Sequence, residues 1–291
     1  MSENISASIV IPAYNEQHRI SATLDYLLNY IRQGNLRAEV IVVDDGSIDD
    51  TCKVVESHAA SSLFLRLLRM RAHRGKGAAT REGFLSAQGE IVYLCDADLS
   101  SGFAECTKLE KVLLAGGDVA IGSRPWVRSL GHNRPWHRDA GRRVFNLSAR
   151  CLLGLNFHDT QCGLKAFKRE AAKQLCTHQR IKGWGFDLEL LLLARDLGYE
   201  VVEVPLDFYH DYSTSKFHLI GDGFASFTDL GRILWYDLCG FYPRSNQTSN
   251  SVSGQLSVRN FLHQLSRAEL PSSWKLAVEE SSPHSSIVND Q

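Results

Sequence analysis

The sequence predicts an α/β protein built on a mostly parallel, Rossmann-like sheet flanked by helices. Three observations carry this. Short β-branched runs alternate with segments of helical period, the pattern of strands joined by crossover helices. Several of those runs end directly in Asp- or Gly-rich turns, as buried parallel strands do when they deliver polar groups to a sheet edge. The chain has 291 residues, 44% hydrophobic and 22% charged, which is enough to bury the core of one large domain.

Residues 8–12 form the first strand, and residues 17–32 repeat Ile20, Leu24, Leu27, Leu28 and Ile31 at helical spacing. Residues 40–43 are a second buried strand ending in Asp44-Asp45-Gly46-Ser47, after which Asp49 or Asp50 caps a helix toward His58. Residues 63–68 make a third strand. Gly75-Lys76-Gly77 opens a helix to Gln88, and residues 91–95 run as the fourth strand into Asp96-Ala97-Asp98. The next strand, residues 119–121, precedes Gly122-Ser123-Arg124. Residues 126–136 are irregular, with His132, Arg134 and the adjacent His137, and form either a loop over a site or a plain surface loop. A helix over 139–153 is followed by Asp159-Thr160-Gln161-Cys162-Gly163 and by a helix from about Arg169. Gly183-Trp184-Gly185-Phe186 leads into a helix over 187–197, and residues 200–207 are another strand. The last helix, 220–238, puts Phe224, Phe227, Leu234, Trp235 and Leu238 on one face and Asp229 and Arg232 on another. That apolar face is expected to pack on the core, with docking on a membrane surface as the alternative.

One domain is expected over residues 7–243, and the Ser-, Asn- and Gln-rich residues 244–291 are expected to be a flexible polar tail. A net charge of -1 argues against a nucleic-acid partner. The seven cysteines include no Cys-x-x-Cys pair, which points to reduced thiols rather than zinc or disulfides. No signal peptide and no clean membrane-spanning stretch is visible, so the expected location is cytoplasmic, with peripheral attachment at the cytoplasmic face of a membrane admitted. Neither a Gly-x-Gly-x-x-Gly turn after the first strand nor a Walker lysine loop is present, which disfavours a dinucleotide dehydrogenase or an ATPase.

Ligands of open parallel sheets bind at the carboxyl ends of the strands. Here those ends carry Pro12-Ala13-Tyr14-Asn15-Glu16, Asp44-Asp45-Gly46-Ser47, Asp96-Ala97-Asp98 and Gly122-Ser123-Arg124. Asp96 and Asp98, two positions apart, can both reach one hard cation, Mg²⁺ or Mn²⁺, leaving coordination positions for the oxygens of a nucleoside diphosphate. Strand-end aspartates also cap helices and make turns. The other three strand ends favour the metal.

With these motifs in this order, residues 8–242 resemble the family 2 glycosyltransferases of GT-A fold, and within them the polyprenyl-phosphate and dolichyl-phosphate glucosyl- and mannosyltransferases. The resemblance implies that Val10-Ile11-Pro12-Ala13-Tyr14-Asn15-Glu16 and Val42-Val43-Asp44-Asp45-Gly46-Ser47 bind nucleotide, that Asp96-Ala97-Asp98 is the metal motif, and that Arg124 contacts the diphosphate. Asp159-Thr160-Gln161-Cys162-Gly163-Leu164-Lys165 and Trp184-Gly185-Phe186-Asp187-Leu188-Glu189-Leu190 look closer to the glucosyl branch, which makes UDP-glucose the expected donor. The family's amino-terminal anchor and carboxyl-terminal spanning helices are not visible here.

The implied reaction is an inverting hexosyl transfer. Tyr14, Glu16 and Asp45 are expected at the base and ribose, with Pro12, Ala13 and Ala97 in the same segments and Lys76 at the nucleotide. Arg124, Lys216 and, by resemblance, Arg143 are expected to carry the phosphate charge. A phosphate monoester acceptor is already largely anionic near neutral pH and needs little base catalysis; a hydroxyl acceptor needs a carboxylate, Asp159 first and Asp187 second. The alternatives are a transferase for a soluble acceptor, a nucleotide-sugar-binding regulatory subunit, and a nucleotidyltransferase.

Overall fold

A computed structural model of the chain describes residues 5–34, 37–99, 103–124, 136–207 and 221–244, all within one compact unit. Its sheet contains β1 (Ala7–Ala13), β2 (Ala38–Asp44), β3 (Leu65–Arg69), β4 (Ile91–Leu94), β5 (Val119–Ser123), β6 (Lys165–Lys168) and β7 (Val201–Pro205). The order across it is β3-β2-β1-β4-β6-β5-β7. Only β6 runs against its neighbours β4 and β5; every other pairing is parallel. Helices α1 (Ile20–Gln33), α2 (Thr51–Ala59), α3 (Lys76–Ser86), α4 (Cys106–Leu114), α5 (Trp136–Leu153), α6 (Arg169–His178), α7 (Phe186–Asp196) and α8 (Gly221–Leu238) connect and flank the strands.

All residues of β1 and β2 are buried, and their register runs from Ala7 opposite Ala38 to Ala13 opposite Asp44. Strands covered on both faces are mostly apolar, and Ile9, Val10 and Ile11 beside Val40, Ile41, Val42 and Val43 supply this, while buried Ser8 donates to Glu39 at 2.7 Å. The α1 stripe expected from spacing (Ile20, Leu24, Leu27, Leu28, Ile31) is buried as a set. At the start of α2 the side chain of Asp49 accepts from Thr51 N at 2.9 Å, whereas Asp50 makes no side-chain cap. β3 starts later than expected, with Leu63 fully exposed ahead of it.

Two elements escaped the sequence reading. β6 is four residues, Lys-Ala-Phe-Lys, too short and too charged at its ends to show a strand period. It is nonetheless central, wedged antiparallel between β4 and β5. The helix α4, which returns the chain from β4 toward β5, was likewise unassigned.

The expected packing of α8 is reversed for every member of its apolar stripe but Leu234, which is partly buried against the core. Phe224, Phe227, Trp235 and Leu238 are 77%, 42%, 64% and 74% exposed, and Ser226, Asp229, Leu230 and Ile233 face the interior. The reason is local: Asp229 Oδ2 accepts from Gly185 N at 3.1 Å, and Gly183 and Gly185 leave no room for side chains where that carboxylate enters. A polar anchor, not the larger apolar stripe, sets the rotation of this helix.

Glu189 of α7 is fully buried and organises the loop that faces the site. Its oxygens accept from Arg180 N and Ile181 N at 2.8 Å each and from the Tyr242 hydroxyl at 2.7 Å. Burial pushes its carboxyl pKa up against the pull of those bonds. Arg180 in turn lies over the Phe241 ring at 4.9 Å.

Candidate active site

β1, β2, β4 and β5 all point the same way, so Ala13, Asp44, Cys95 and Arg124 emerge on one edge of the sheet. Strand order reverses between β1 and β4, because β2 and β3 lie to one side and the later strands to the other. A crevice at such a point is where doubly wound sheets take ligands.

The loop after β1 is latched to the loop after β2. Asn15 sits at φ 54, a left-handed conformation that Asn tolerates, and its Oδ1 accepts from Ile48 N at 2.9 Å. Asn15 N donates to Ser47 Oγ at 2.8 Å and Glu16 N to Thr51 Oγ1 at 2.7 Å. The Glu16 carboxylate receives Arg19 Nε and Nη2 at 2.7 and 2.6 Å. Tyr14 is stacked on His73, with centroids 3.9 Å apart, and His73 Nδ1 lies 2.8 Å from Asp45 Oδ2. Asp45 is buried and also accepts from Arg74 N at 2.7 Å and Gly75 N at 2.8 Å. Its carboxylate thus ties the loop ahead of α3 to β2, and His73 is a neighbour that motif reading missed.

That loop delivers Lys76. Gly75, at φ 104, lies against Lys182 O with no space for a Cβ, and Gly77 lies against Phe186 and Ile181 O. The Lys76 Nζ reaches Asp96 Oδ1 at 2.5 Å and lies 5.3 Å from the Trp184 ring centroid. Burial opposes the charge on Lys76, but Asp96, Asp187 and Asp98 outweigh it and raise its pKa. Burial likewise opposes ionisation of Asp96, and Lys76, Lys165 and Arg124 bring its pKa below the ordinary carboxylate value. Sequence spacing placed Lys76 only generally at the nucleotide; the fold puts it on the acidic motif itself.

Asp96 and Asp98 sit on a turn held by Leu99 N to Asp96 O at 3.0 Å and by Thr23 Oγ1 donating to Ala97 O at 2.7 Å. Asp98 lies 3.6 Å from Arg19. The Asp96 carboxylate rests against Gly163, where any Cβ would overlap it, so that glycine makes a cradle for the acid. Hard oxygens on one turn fit Mg²⁺ or Mn²⁺. Among the described residues no group of three or more His, Cys, Asp or Glu side chains could hold a metal by itself.

Two buried ion pairs border this cluster. Arg124 grips Asp159 through Nε at 2.5 Å and Nη2 at 2.7 Å, with its backbone N at 3.2 Å from the same carboxylate, which is fully buried. Asp159 N and His158 N donate to Glu203 at 2.8 and 2.9 Å. Asn146 of α5 holds the same turn, donating to His158 O at 2.9 Å and accepting from Thr160 Oγ1 at 2.7 Å. Lys165, at the start of β6 and nearly inaccessible, binds Asp187 Oδ1 at 2.7 Å and Cys162 O at 2.6 Å. No role was assigned to Lys165 from sequence, because a lysine opening a four-residue strand carries no periodic signal.

Arg143 is exposed on α5, one turn before Asn146. Lys216, residues 126–135 and the Ser213-Thr214-Ser215 stretch lie outside the described residues. The structure therefore brings Tyr14, Glu16, Asp45, Lys76, Asp96, Asp98, Arg124, Asp159 and Asp187 to one edge of the sheet, with Pro12 and Ala13 at the end of β1 and Ala97 in the acidic turn. No helix among the described residues is long and apolar enough to cross a membrane.

Residues 8–176 match the family described as Glycosyl transferase family 2. A dolichyl-phosphate beta-glucosyltransferase, ALG5C of Trichomonas vaginalis, is 31% identical over 271 residues, covering 86% of this chain and 77% of its own. The Drosophila melanogaster dolichyl-phosphate beta-glucosyltransferase is 36% identical over 221 residues, covering 70% and 67%. Among solved structures, glucosyl-3-phosphoglycerate synthase from Mycobacterium tuberculosis in complex with Mn²⁺ and UDP-glucose superposes with a TM-score of 0.58 at 22% identity, covering 82% of this chain and 80% of that one. That last likeness speaks to the GT-A fold.

Proposed function

The chain belongs to glycosyl transferase family 2, and we propose that it transfers glucose from UDP-glucose to dolichyl phosphate or another polyprenyl phosphate, inverting the anomeric centre. One observation favours a phosphate acceptor over a hydroxyl. Asp159 and Asp187, the carboxylates a hydroxyl acceptor would need as bases, are committed to ion pairs with Arg124 and Lys165. A phosphate monoester with a second pKa of about 6 attacks without a base. The names of the relatives, dolichyl-phosphate beta-glucosyltransferases at 31–36% identity, support the same acceptor.

In this reading an acceptor phosphate oxygen forms the new bond to the anomeric carbon as the bond to the β-phosphate of UDP breaks on the opposite face. Asp96 and Asp98 would hold Mg²⁺ or Mn²⁺, which supplies positive charge to the leaving diphosphate. Lys76 and Arg124 add to that charge, Arg124 in an orientation set by the Asp159 carboxylate. Lys216 belongs to the same phosphate-binding set, whereas Arg143, exposed on α5, is assigned to the membrane-facing side instead. Tyr14 and Glu16 border the base and ribose, with Asp45 holding the loop beneath them and His73 stacked beside them. Incubation with UDP-[¹⁴C]glucose, dolichyl phosphate and Mn²⁺ is expected to move label into the organic phase. Label that stays aqueous, bound to a soluble hydroxyl acceptor, would overturn the lipid acceptor.

A lipid-linked acceptor also calls for a membrane surface, here the cytoplasmic face, and the outward sides of α5 and α8 support one. Val144, Leu147 and Leu152 of α5 and Phe224, Phe227, Trp235 and Leu238 of α8 are exposed, and Phe145 packs edge-on against Phe227 at 5.4 Å to join the helices. Among the side chains described on these helices, the exposed charges are Arg143 and Arg232, while the carboxylates of Asp229 and Asp237 turn inward. A second copy would bring like charges together, whereas an anionic lipid surface complements them. The protein is expected to pellet with phosphatidylserine-containing vesicles. A Phe224→Ser/Trp235→Ser variant should bind at least about 100-fold more weakly, since each ring contributes roughly 1.5–3 kcal/mol when buried. Equal pelleting of both proteins would remove α8 from the contact.

A further inference from the structure

We propose that Lys76 is a built-in counter-ion for Asp96 that keeps the divalent ion from binding ahead of the donor, so that metal and nucleoside diphosphate enter as a pair. The proposal rests on Asp96 being a metal ligand and goes beyond it by assigning the order of binding to one side chain.

Lys76 is held on Asp96 by architecture on several sides. It is the first residue of α3, its backbone fixed by Gly75 and Gly77 against Lys182 O and Ile181 O, where no other residue fits. Asp45 clamps the preceding two amides, Arg74 N and Gly75 N. The rings of Trp184 and Phe186, with centroids 5.3 and 6.0 Å from Nζ, enclose the ammonium. Its ammonium meets Asp96 Oδ1 at 2.5 Å in a part-buried pair.

The neighbouring acids also have cations. Asp187 faces Lys165 at 2.7 Å and Asp159 faces Arg124 at 2.5 Å, while Asp98, 3.6 Å from Arg19, shares that guanidinium with Glu16. A bare divalent ion entering this edge would have to displace Lys76 from Asp96 and add positive charge beside the freed ammonium in a partly buried site. A nucleoside diphosphate arriving with the ion balances that charge, and offers the displaced ammonium phosphate oxygens in exchange for the carboxylate.

The test is Mn²⁺ binding followed by electron paramagnetic resonance of the free ion, with and without UDP, so that no turnover is needed. Wild type should take up Mn²⁺ weakly alone and strongly with UDP, and Asp96→Asn should lose the UDP-dependent uptake. Lys76→Met should bind Mn²⁺ alone at least about tenfold more tightly than wild type, while Lys76→Arg, which keeps the charge, should stay close to it. Unchanged or weaker binding of Mn²⁺ alone to a folded Lys76→Met protein overturns the counter-ion proposal while leaving the metal site standing. UDP-dependent uptake that survives Asp96→Asn overturns the metal-site reading itself, and the proposal with it.

Discussion

Asp96→Asn is expected to lower glucosyl transfer by about 10³-fold, on the order of 4 kcal/mol of lost transition-state stabilisation. The substitution keeps the size and the turn geometry of the side chain, so folding should survive. It removes the charge that meets Lys76 at 2.5 Å and that Lys165 and Arg124 also help to hold ionised. With a neutral amide there, the hard-oxygen pair of Asp96 and Asp98 is broken, and Lys76 loses its partner in the same step. Both the Michaelis constant for the donor and the turnover number should suffer, because the same charge serves ground-state binding and the departing diphosphate. Steady-state kinetics on extracted lipid product are the measurement; a rate within tenfold of wild type would take Asp96 out of the centre.

The second large effect is on stability. Glu189→Ala should destabilise the fold by about 3–4 kcal/mol, because it leaves two buried donors and one part-buried donor without their acceptor. These are Arg180 N, Ile181 N and the Tyr242 hydroxyl. For a domain of this size that corresponds to a fall in Tm of roughly 10 °C. Tyr242→Phe removes one of the three bonds and should cost about 1 kcal/mol. Thermal unfolding followed by circular dichroism separates the two variants; equal melting of Glu189→Ala and wild type would show that the loop is held by other means. The loop in question carries Trp184 and lies against Gly75 and Gly77, so the Glu189 variant should also blunt donor binding at temperatures where it remains folded.

Much of the candidate site was legible because its chemistry is local. Asp44-Asp45-Gly46-Ser47 and Asp96-Ala97-Asp98 each follow an apolar run, and a parallel sheet carries the ends of its strands to one edge wherever the helices lie. Fold class, the strand-end motifs and the α1 stripe therefore needed only the order of residues along the chain. Pairing was another matter. Arg124 and Asp159 are 35 positions apart, and Lys165 and Asp187 are 22 apart, so nothing in spacing shows that each acid is neutralised by a particular cation. That pairing is the observation on which the proposed phosphate acceptor rests.

The last helix marks the boundary most sharply. Its periodicity defined a stripe of Phe224, Phe227, Leu234, Trp235 and Leu238 but carried no information about which side of the helix meets the protein. Asp229 decided it, by reaching Gly185 N across a gap that only glycines leave open. The short-range pattern of the sequence determined which elements form and which chemical groups stand at their ends. Which charges neutralise one another, and that Lys76 rests on Asp96, was decided only when tertiary packing brought distant residues within hydrogen-bonding distance, since burial makes an unmatched charge too costly to leave alone.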